Sequence, residues 1–177
     1  MNSVFLSIYN ELERQRAKVL EQVKNLSVEK FNHTPSVGKW SISQILTHIL
    51  IAEQLSVGYM KKKALGIDRL KNSGLLETLR IELLKVSQRI PSIKYKAPRV
   101  VVANTPPAFP IAELTSRWET HHKELKVFLD GIQDKNVRKV IYKHPLAGRL
   151  DARQAMVFFR EHMNHHLPQI RRLLNQD

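Results

Sequence analysis

Apolar residues recur at three- and four-residue spacing in four stretches of the chain, which is the pattern of a helix that buries one face. The first stretch covers residues 4–26, and the second begins after a cap at Ser41. The third covers residues 111–132, and the fourth extends from Asp151 to near Leu174. No segment shows an alternation strong enough to predict a sheet. The pattern therefore predicts an all-α protein built on four long helices.

The second and fourth helices begin with the same capping sequence. Ser41 is followed three residues later by Gln44, and Asp151 is followed at the same spacing by Gln154. In such a capping box, each side chain accepts a hydrogen bond from a backbone amide that the helix start would otherwise leave unpaired. We therefore expect these helices to begin at Ser41 and Asp151.

A long connection, residues 64–109, separates the second helix from the third. Residues 75–90 have the pattern of an extra helix, whereas residues 94–110 contain four prolines and a β-branched run and are predicted to be extended and irregular. A long crossover of this kind allows two successive bundle helices to run parallel. The length of the chain fits a single domain, residues 1–177, in which this connection is an elaboration.

Three histidines fall on the inward faces of the second and fourth helices. His162 and His166 lie one turn apart on the fourth helix, so both imidazoles can reach one ion. His48 lies on the inward face of the second helix, shortly after its cap. With a rise of about 1.5 Å per residue, the three reach a similar depth if the two helices are antiparallel. We predict that they bind one divalent metal.

The ligand set limits the kind of metal site. The chain has no cysteine, which excludes thiolate ligands, disulfides and cysteine nucleophiles. Three imidazoles suit zinc or nickel and would accept copper or cobalt. They leave a coordination position open, as catalytic sites do and closed structural sites do not. The alternative interpretation is that the three are core histidines that hydrogen-bond across the bundle.

Four other polar residues lie near the predicted site without a defined role. His121 and His122 are adjacent at the core edge of the third helix, and one of them could supply a fourth ligand or a proton shuttle. Glu53 and Gln169 lie near the two ligand faces and could position a ligand or a substrate. The pattern assigns no general base among them.

Two further histidines and one proline are interpreted from their position alone. His144 precedes the fourth helix in a turn and is predicted to order that loop, whereas His165 falls off the inward face and is predicted to be exposed to solvent. Pro168 lies inside the fourth helix, where it removes one backbone hydrogen bond. Because the apolar pattern continues beyond it, we predict a kink just after His166 and not an end.

The net charge of +13 is concentrated in one part of the chain. Residues 61–99 carry 11 basic and 3 acidic side chains. Binding of nucleic acid would place such charge on a groove-reading helix or among stacking aromatics, and the sequence shows neither pattern. Nucleic acid is therefore not an expected partner. A solvated basic surface is one interpretation, and attraction of an anionic substrate or polyanion is the other. No signal peptide or membrane span is evident, so a cytoplasmic protein is expected.

Two segments resemble a known family. KWSISQILTHILIAEQ, residues 39–54, is similar to the second-helix signature of the DinB-like superfamily, which includes the YfiT-like metal-dependent hydrolases. HPLAGRLDARQAMVFFREHMNHHLPQI, residues 144–170, resembles its fourth-helix signature, in which a His-Pro-x-x-Gly turn precedes H-x-x-x-H and a glutamine. The resemblance implies an up-down-down-up four-helix bundle, often a homodimer. It also implies nickel or zinc at the positions of His48, His162 and His166.

The resemblance also implies a class of function. Relatives include transferases and isomerases that use low-molecular-weight thiols such as bacillithiol, mycothiol or glutathione, and the family carries a hydrolase label. The expected function is a metal-dependent enzyme acting on a small molecule, by thiol transfer or by hydrolysis. The alternative is a non-catalytic, metal-stabilised bundle that binds a partner or polyanion through its basic surface.

Overall fold

The computed structural model describes residues 1–90 and 108–176. Its longest helices are α1 (Ser3–Val23), α3 (Ile42–Ala64), α5 (Ile111–Asp130) and α6 (Ala152–Leu174), with α2 (Val28–Asn32) and α4 (Leu75–Gln88) in the connections. Short 3-10 turns lie at Ile67–Arg69 and Asp134–Asn136. Two strands, β1 (Tyr142–His144) and β2 (Gly148–Leu150), pair antiparallel just before α6. The fold is mostly helical, as the sequence predicts.

Helices α3 and α5 run in the same direction. Near their starts, the Phe109 amide donates to Oγ1 of Thr47 at 3.1 Å. Towards their ends, Nζ of Lys61 lies 3.1 Å from Oε2 of Glu124. Contacts that advance together along both helices require a parallel pair, and the crossover between them makes this course possible.

Helix α1 runs parallel to α6 and antiparallel to α5. Contacts with α6 advance together along both helices, whereas contacts with α5 advance in opposite directions. The pairs are Glu11 with Arg160, Gln15 with Asn164, Met1 with Asp130, and Tyr9 with His122. The four long helices therefore follow the up-down-down-up course expected from the sequence.

The buried apolar residues form two clusters, one toward each end of the bundle. Between them, α1, α3 and α5 contribute buried or half-buried polar side chains, which we call the polar layer: Glu13, Glu53, His121 and His122. Buried ionisable groups need partners, because an unpaired charge in the interior is costly. The polar layer therefore has to be satisfied by its own members, by neighbouring side chains or by a ligand.

The capping boxes of α3 and α6 are present as predicted. Oγ of Ser41 accepts from the Gln44 amide at 3.2 Å, and Oε1 of Gln44 accepts from the Ser41 amide at 2.9 Å. At α6, Oδ1 of Asp151 accepts from the Gln154 amide at 2.8 Å, with the reciprocal bond at 3.1 Å. These caps set the starts of the two helices that carry the candidate site.

The connections differ from the sequence predictions at the end of the first helix. Helix α1 ends at Val23, and a separate short helix, α2, follows because the side chain of Ser27 caps it by accepting from the Lys30 amide. The extra helix in the crossover is confirmed as α4, which ends at Gln88. Most of the predicted irregular segment, residues 94–110, lies outside the described residues.

The hairpin of β1 and β2 was not predicted. Each strand has three residues, too few for a period-two pattern to stand out in the sequence. Tyr142 and His144 are buried on one side, and Lys143 between them is exposed. Gly148 begins β2 with a φ of +73°, a left-handed conformation that glycine adopts without strain. The hairpin leads the chain into the cap of α6.

Candidate metal centre

Three histidine nitrogens converge where α3 faces α6. Nε2 of His162 lies 3.3 Å from Nε2 of His48 and 3.2 Å from Nε2 of His166. One ligand atom from each residue lies within 4.8 Å of the other two. The structure therefore brings together the three histidines that the sequence singles out.

The spacing of these nitrogens fits a single tetrahedral ion. With metal–nitrogen bonds of about 2.0–2.1 Å, two imidazole nitrogens on such an ion stand about 3.3–3.4 Å apart. Hydrogen bonds account for the cluster less well. A neutral imidazole nitrogen has either one proton or one lone pair, so Nε2 of His162 cannot bond both neighbours in the same way. The donor set fits a divalent metal.

Burial keeps the three imidazoles neutral at physiological pH. It lowers the pKa of His48 to about 4. The pKa of His166 is also lowered to about 4, chiefly by burial, although its hydrogen bond to Gln169 acts in the opposite direction. Burial, with smaller contributions from neighbouring histidines, holds the pKa of His162 well below its usual value. Neutral imidazoles keep the lone pair that metal binding requires.

Neighbouring side chains orient the three rings. Nδ1 of His166 donates to Oε1 of Gln169 at 3.0 Å, which leaves the Nε2 lone pair directed at the cluster. The ring of Phe158 stacks on His162 with centroids 5.4 Å apart, and Trp40 packs against His48 at 4.8 Å. Neither aromatic ring was assigned to the site from the sequence. For Phe158, the available signal was its position one turn before His162, on the same face of the helix.

The cluster is enclosed but not sealed. His48 and His166 are only 5% and 7% exposed, whereas His162 is half-buried and Trp40 is 39% exposed. Within residues 1–90 and 108–176, the group of side chains that could hold an ion contains no carboxylate. The arrangement can hold an ion with a position left open, and no general base is assigned beside it.

His121 and His122 belong to the polar layer and not to the three-histidine cluster. Nε2 of His122 lies 3.2 Å from Oε2 of Glu53, and its Nδ1 contacts the carboxylate of Glu13. Trp118 donates to the same oxygen of Glu53 at 3.1 Å. Glu53 thus orients groups on α5, and the structure gives neither histidine a place among the nitrogens that could hold the ion.

The polar layer contains an ion pair between buried His122 and half-buried Glu13. Burial alone would lower the pKa of His122, but its hydrogen bonds to Glu13 and Glu53 outweigh this and raise the pKa to about 9. The hydrogen bond from His122 is the main reason that the pKa of Glu13 falls to about 2. Burial lowers the pKa of His121 to about 4. At neutral pH, His122 is therefore charged and His121 is not.

Two further histidines, His144 and His165, support elements next to the cluster. Nδ1 of His144 accepts from the amides of Leu146 and Ala147 at 3.1 and 3.0 Å, so it orders the hairpin turn as predicted. The prediction that His165 is exposed to solvent is wrong. It is half-buried, and its Nδ1 donates to the carbonyl of Gln88 at 3.0 Å, because α4 packs over this side of α6.

Helix α6 carries two of the three histidines and continues through Pro168 to Leu174. As predicted, the proline does not end the helix. The kink after His166 stays a prediction. Gln169, the residue after the proline, is exposed and not inward-facing, yet its side chain reaches back to His166. The exposed end of α6 thus supports the buried cluster.

This fold and cluster define a class of protein: a four-helix bundle with three histidines gathered between the second and fourth long helices. The family model described as the DinB superfamily matches residues 11–170. Because the match covers most of the chain, the protein belongs to the DinB superfamily.

Two relatives extend along nearly the whole chain. The uncharacterized protein YuaE of Bacillus subtilis (strain 168) is 25% identical over 171 residues, which cover 95% of this chain and 96% of YuaE. The solved structure of YfiT from Bacillus subtilis matches with a TM-score of 0.59 at 14% identity, over 94% of this chain and 83% of YfiT. YfiT is described as a probable metal-dependent hydrolase with an unusual four-helix bundle topology. At this identity, the similarity to YfiT establishes the fold alone.

A search of the helices within the described residues finds none that is both long and apolar enough to cross a membrane.

Proposed function

We propose that the protein is a metal-dependent enzyme in which His48, His162 and His166 hold one zinc or nickel ion. The observation that carries this proposal is the convergence of three neutral imidazole nitrogens, with 3.2 and 3.3 Å between His162 and its two neighbours. The substrate is a small molecule, and the reaction is hydrolysis or transfer of a thiol.

The residues around the cluster have separate tasks in this proposal. Gln169 keeps the proton of His166 on Nδ1, so that Nε2 is free to bind. Phe158 and Trp40 fix two of the rings and exclude water from their sides of the cluster. His48, His162 and His166 would hold the divalent ion, which would supply Lewis acidity to a water or to a thiol.

Different observations support the two reactions. The description of YfiT as a probable metal-dependent hydrolase supports hydrolysis, because the two proteins share this fold. The family resemblance supports thiol transfer. Since the chain has no cysteine, the thiol would come from a separate molecule such as bacillithiol or glutathione. Whether turnover requires an added thiol therefore distinguishes thiol transfer from hydrolysis.

The test is an activity assay on protein loaded with zinc or nickel. A panel of esters, amides and small electrophiles is offered with and without bacillithiol or glutathione. Turnover should disappear in His48→Ala and persist in His33→Ala, a matched change at an exposed histidine outside the cluster. Equal turnover in the two variants would contradict the proposed site. Hydrolysis without any thiol would contradict the transferase form.

The second candidate function is a non-catalytic bundle that uses its metal for stability. This non-catalytic function is favoured because, among the residues the structure covers, the side chains that could hold the ion include no carboxylate. In that case zinc or nickel would raise the melting temperature through the three histidines, and no probe would be turned over.

The assembly and location of the protein are part of the same proposal. We expect a homodimer, as the family resemblance implies, and a cytoplasmic location, as the sequence predicts. An apolar stripe on α4 supports a dimer, because Leu76, Leu79, Leu83 and Val86 recur at helical spacing and are more than half exposed. The molar mass in light scattering should be twice that of one chain, and a monomer at all concentrations would contradict this part.

A further inference from the structure

A basic pocket lies between the end of α3 and the hairpin, and none of the three candidate metal ligands lines it. Its volume is about 460 Å³, and five of the nine described residues that line it are cationic. We name this set the five cations: Lys63, Arg69, Lys71, Lys143 and Arg149. None of the described lining residues carries a carboxylate. The pocket therefore combines a concave shape with one sign of charge.

The five cations come from separate parts of the chain. Lys63 is on α3, Arg69 closes a 3-10 turn, and Lys143 and Arg149 are on β1 and β2. Lys71 lies in a segment held in place by the backbone bond from the Val140 amide to its carbonyl at 3.0 Å. The convergence is thus produced by tertiary structure and not by one basic run of sequence.

Within the part of the chain that the structure describes, the five cations have no ion-pair partner. None of the five cations forms an ion pair or a side-chain hydrogen bond with another described residue. Elsewhere on the surface, a basic side chain commonly meets a carboxylate one helical turn away, as Lys85 meets Glu82 at 2.9 Å. Outside the lining, the charge of Arg149 contributes to a lowered pKa of Glu77, after backbone hydrogen bonds from Gly74 and Glu77. Like charges gathered without counter-charges repel, which an anion would relieve.

The floor of the pocket is partly aromatic and is held by a hydrogen bond to α3. Oη of Tyr142 hydrogen-bonds with Oγ of Ser56 at 2.9 Å, and the rings of Tyr59 and Tyr142 meet edge to face at 6.2 Å. Nζ of Lys63 lies 5.9 Å from the centre of the Tyr59 ring. Two arginines beside this floor present planar, forked donors, which suit the oxygens of phosphate and carboxylate groups.

We infer that this pocket binds a small molecule bearing phosphate or paired carboxylate groups, with the five cations around the anion. The volume suits a small molecule more than a nucleic-acid backbone, which would need an extended track of charge. The inference is independent of the metal proposal, because none of the three histidines lines the pocket.

Titration calorimetry at low salt, with inorganic phosphate and with succinate as probes, tests the inference. The double variant Lys143→Gln with Arg149→Gln removes two of the five cations. Its matched control, Lys62→Gln with Lys18→Gln, removes the same charge from exposed positions outside the pocket. Wild type should bind saturably, with about one site per chain, and the pocket variant should bind about tenfold more weakly or worse.

The control double variant should bind as wild type does. An equal loss of affinity in both double variants would mean bulk electrostatic attraction and would overturn the inference. The inference would also be overturned if neither phosphate nor succinate bound saturably. Whether phosphate or succinate binds more tightly identifies the chemical class. Neither probe should need the histidines, so binding that is lost in His48→Ala would also overturn it.

Thermal melting separates a binding role from a structural one. Without anion, the pocket variant should melt at the wild-type temperature or above it, because two mutually repelling charges are gone. A lower melting temperature without anion would show that these side chains support the fold, and would contradict the role given to them here.

Discussion

Nδ1 of His166 donates a 3.0 Å hydrogen bond to Oε1 of Gln169, three residues later on α6. The amide oxygen can only accept, so the proton is held on Nδ1 and the lone pair on Nε2 faces His162. An exposed residue at the end of a helix therefore decides which nitrogen of a buried imidazole can bind a metal.

Replacing Gln169 by alanine should weaken zinc or nickel binding by about 10- to 100-fold, the usual effect of losing a residue that orients a metal-bound histidine. The fold should be unaffected, because Gln169 is exposed. Competition with a chelator of known affinity measures the change. Gln22→Ala, at an exposed position on α1, is the control and should bind as wild type does. Unchanged metal affinity in Gln169→Ala would show that Gln169 does not support metal binding by His166.

The metal-free protein should lose stability as pH falls from about 6.5 towards 4. The pKa values of His48 and His166 are lowered to about 4, whereas an unfolded histidine titrates near 6.5. In that window the unfolded chain takes up protons that the native state does not bind. Each such histidine lowers the free energy of unfolding by up to about 1.4 kcal/mol per pH unit.

Urea unfolding of the metal-free protein between pH 7 and pH 5 measures this slope. His48→Leu removes one proton-binding site from the unfolded chain and keeps an apolar side chain in the core, so its slope should be shallower. His33→Leu, at an exposed site, should retain the wild-type slope. A His48→Leu slope equal to that of wild type would contradict the burial argument.

The polar layer should make stability fall at alkaline pH. The pKa of His122 is raised to about 9, above the unfolded value near 6.5. Its contribution is therefore fully present below pH 6.5 and is lost as pH rises through about 9. Histidine proton resonances, followed by NMR titration, should place His122 near that value.

Glu53→Gln removes one of the two carboxylates that hold His122. The change should lower the pKa of His122 and destabilise the protein at pH 7 by about 1–3 kcal/mol, because Glu53 is buried and accepts from two side chains. Glu119→Gln makes the same chemical change at an exposed site on α5 and should have little effect. A Glu53→Gln variant as stable as wild type, with an unchanged His122 pKa, would show that Glu53 and His122 are not coupled.

Local chemistry made much of this fold predictable from the sequence. The starts of α3 and α6 follow from side chains three residues apart, at Ser41 with Gln44 and Asp151 with Gln154. The convergence of the three histidines followed from helical register and depth, since each lies on a face whose apolar neighbours fix its direction. Such signals are contained within a few turns of one helix.

The features that the sequence did not predict depend on contacts between distant segments. His122 and Glu13 meet across 109 positions of sequence, and no local pattern links them. His165 is half-buried because α4, which belongs to the crossover, packs against α6. The five cations likewise meet only after the hairpin folds beside α3. In each case the missing information was which helix faces lie side by side.

The central claim is tested most directly by the metal content per chain of untagged wild-type protein and of His162→Ala, with His33→Ala as the control. The account predicts about one equivalent of zinc or nickel in wild type and in the control, and none in His162→Ala. No bound metal in any of the three, together with a melting temperature that zinc and nickel leave unchanged, would contradict it. His48, His162 and His166 would then be core histidines of a binding protein.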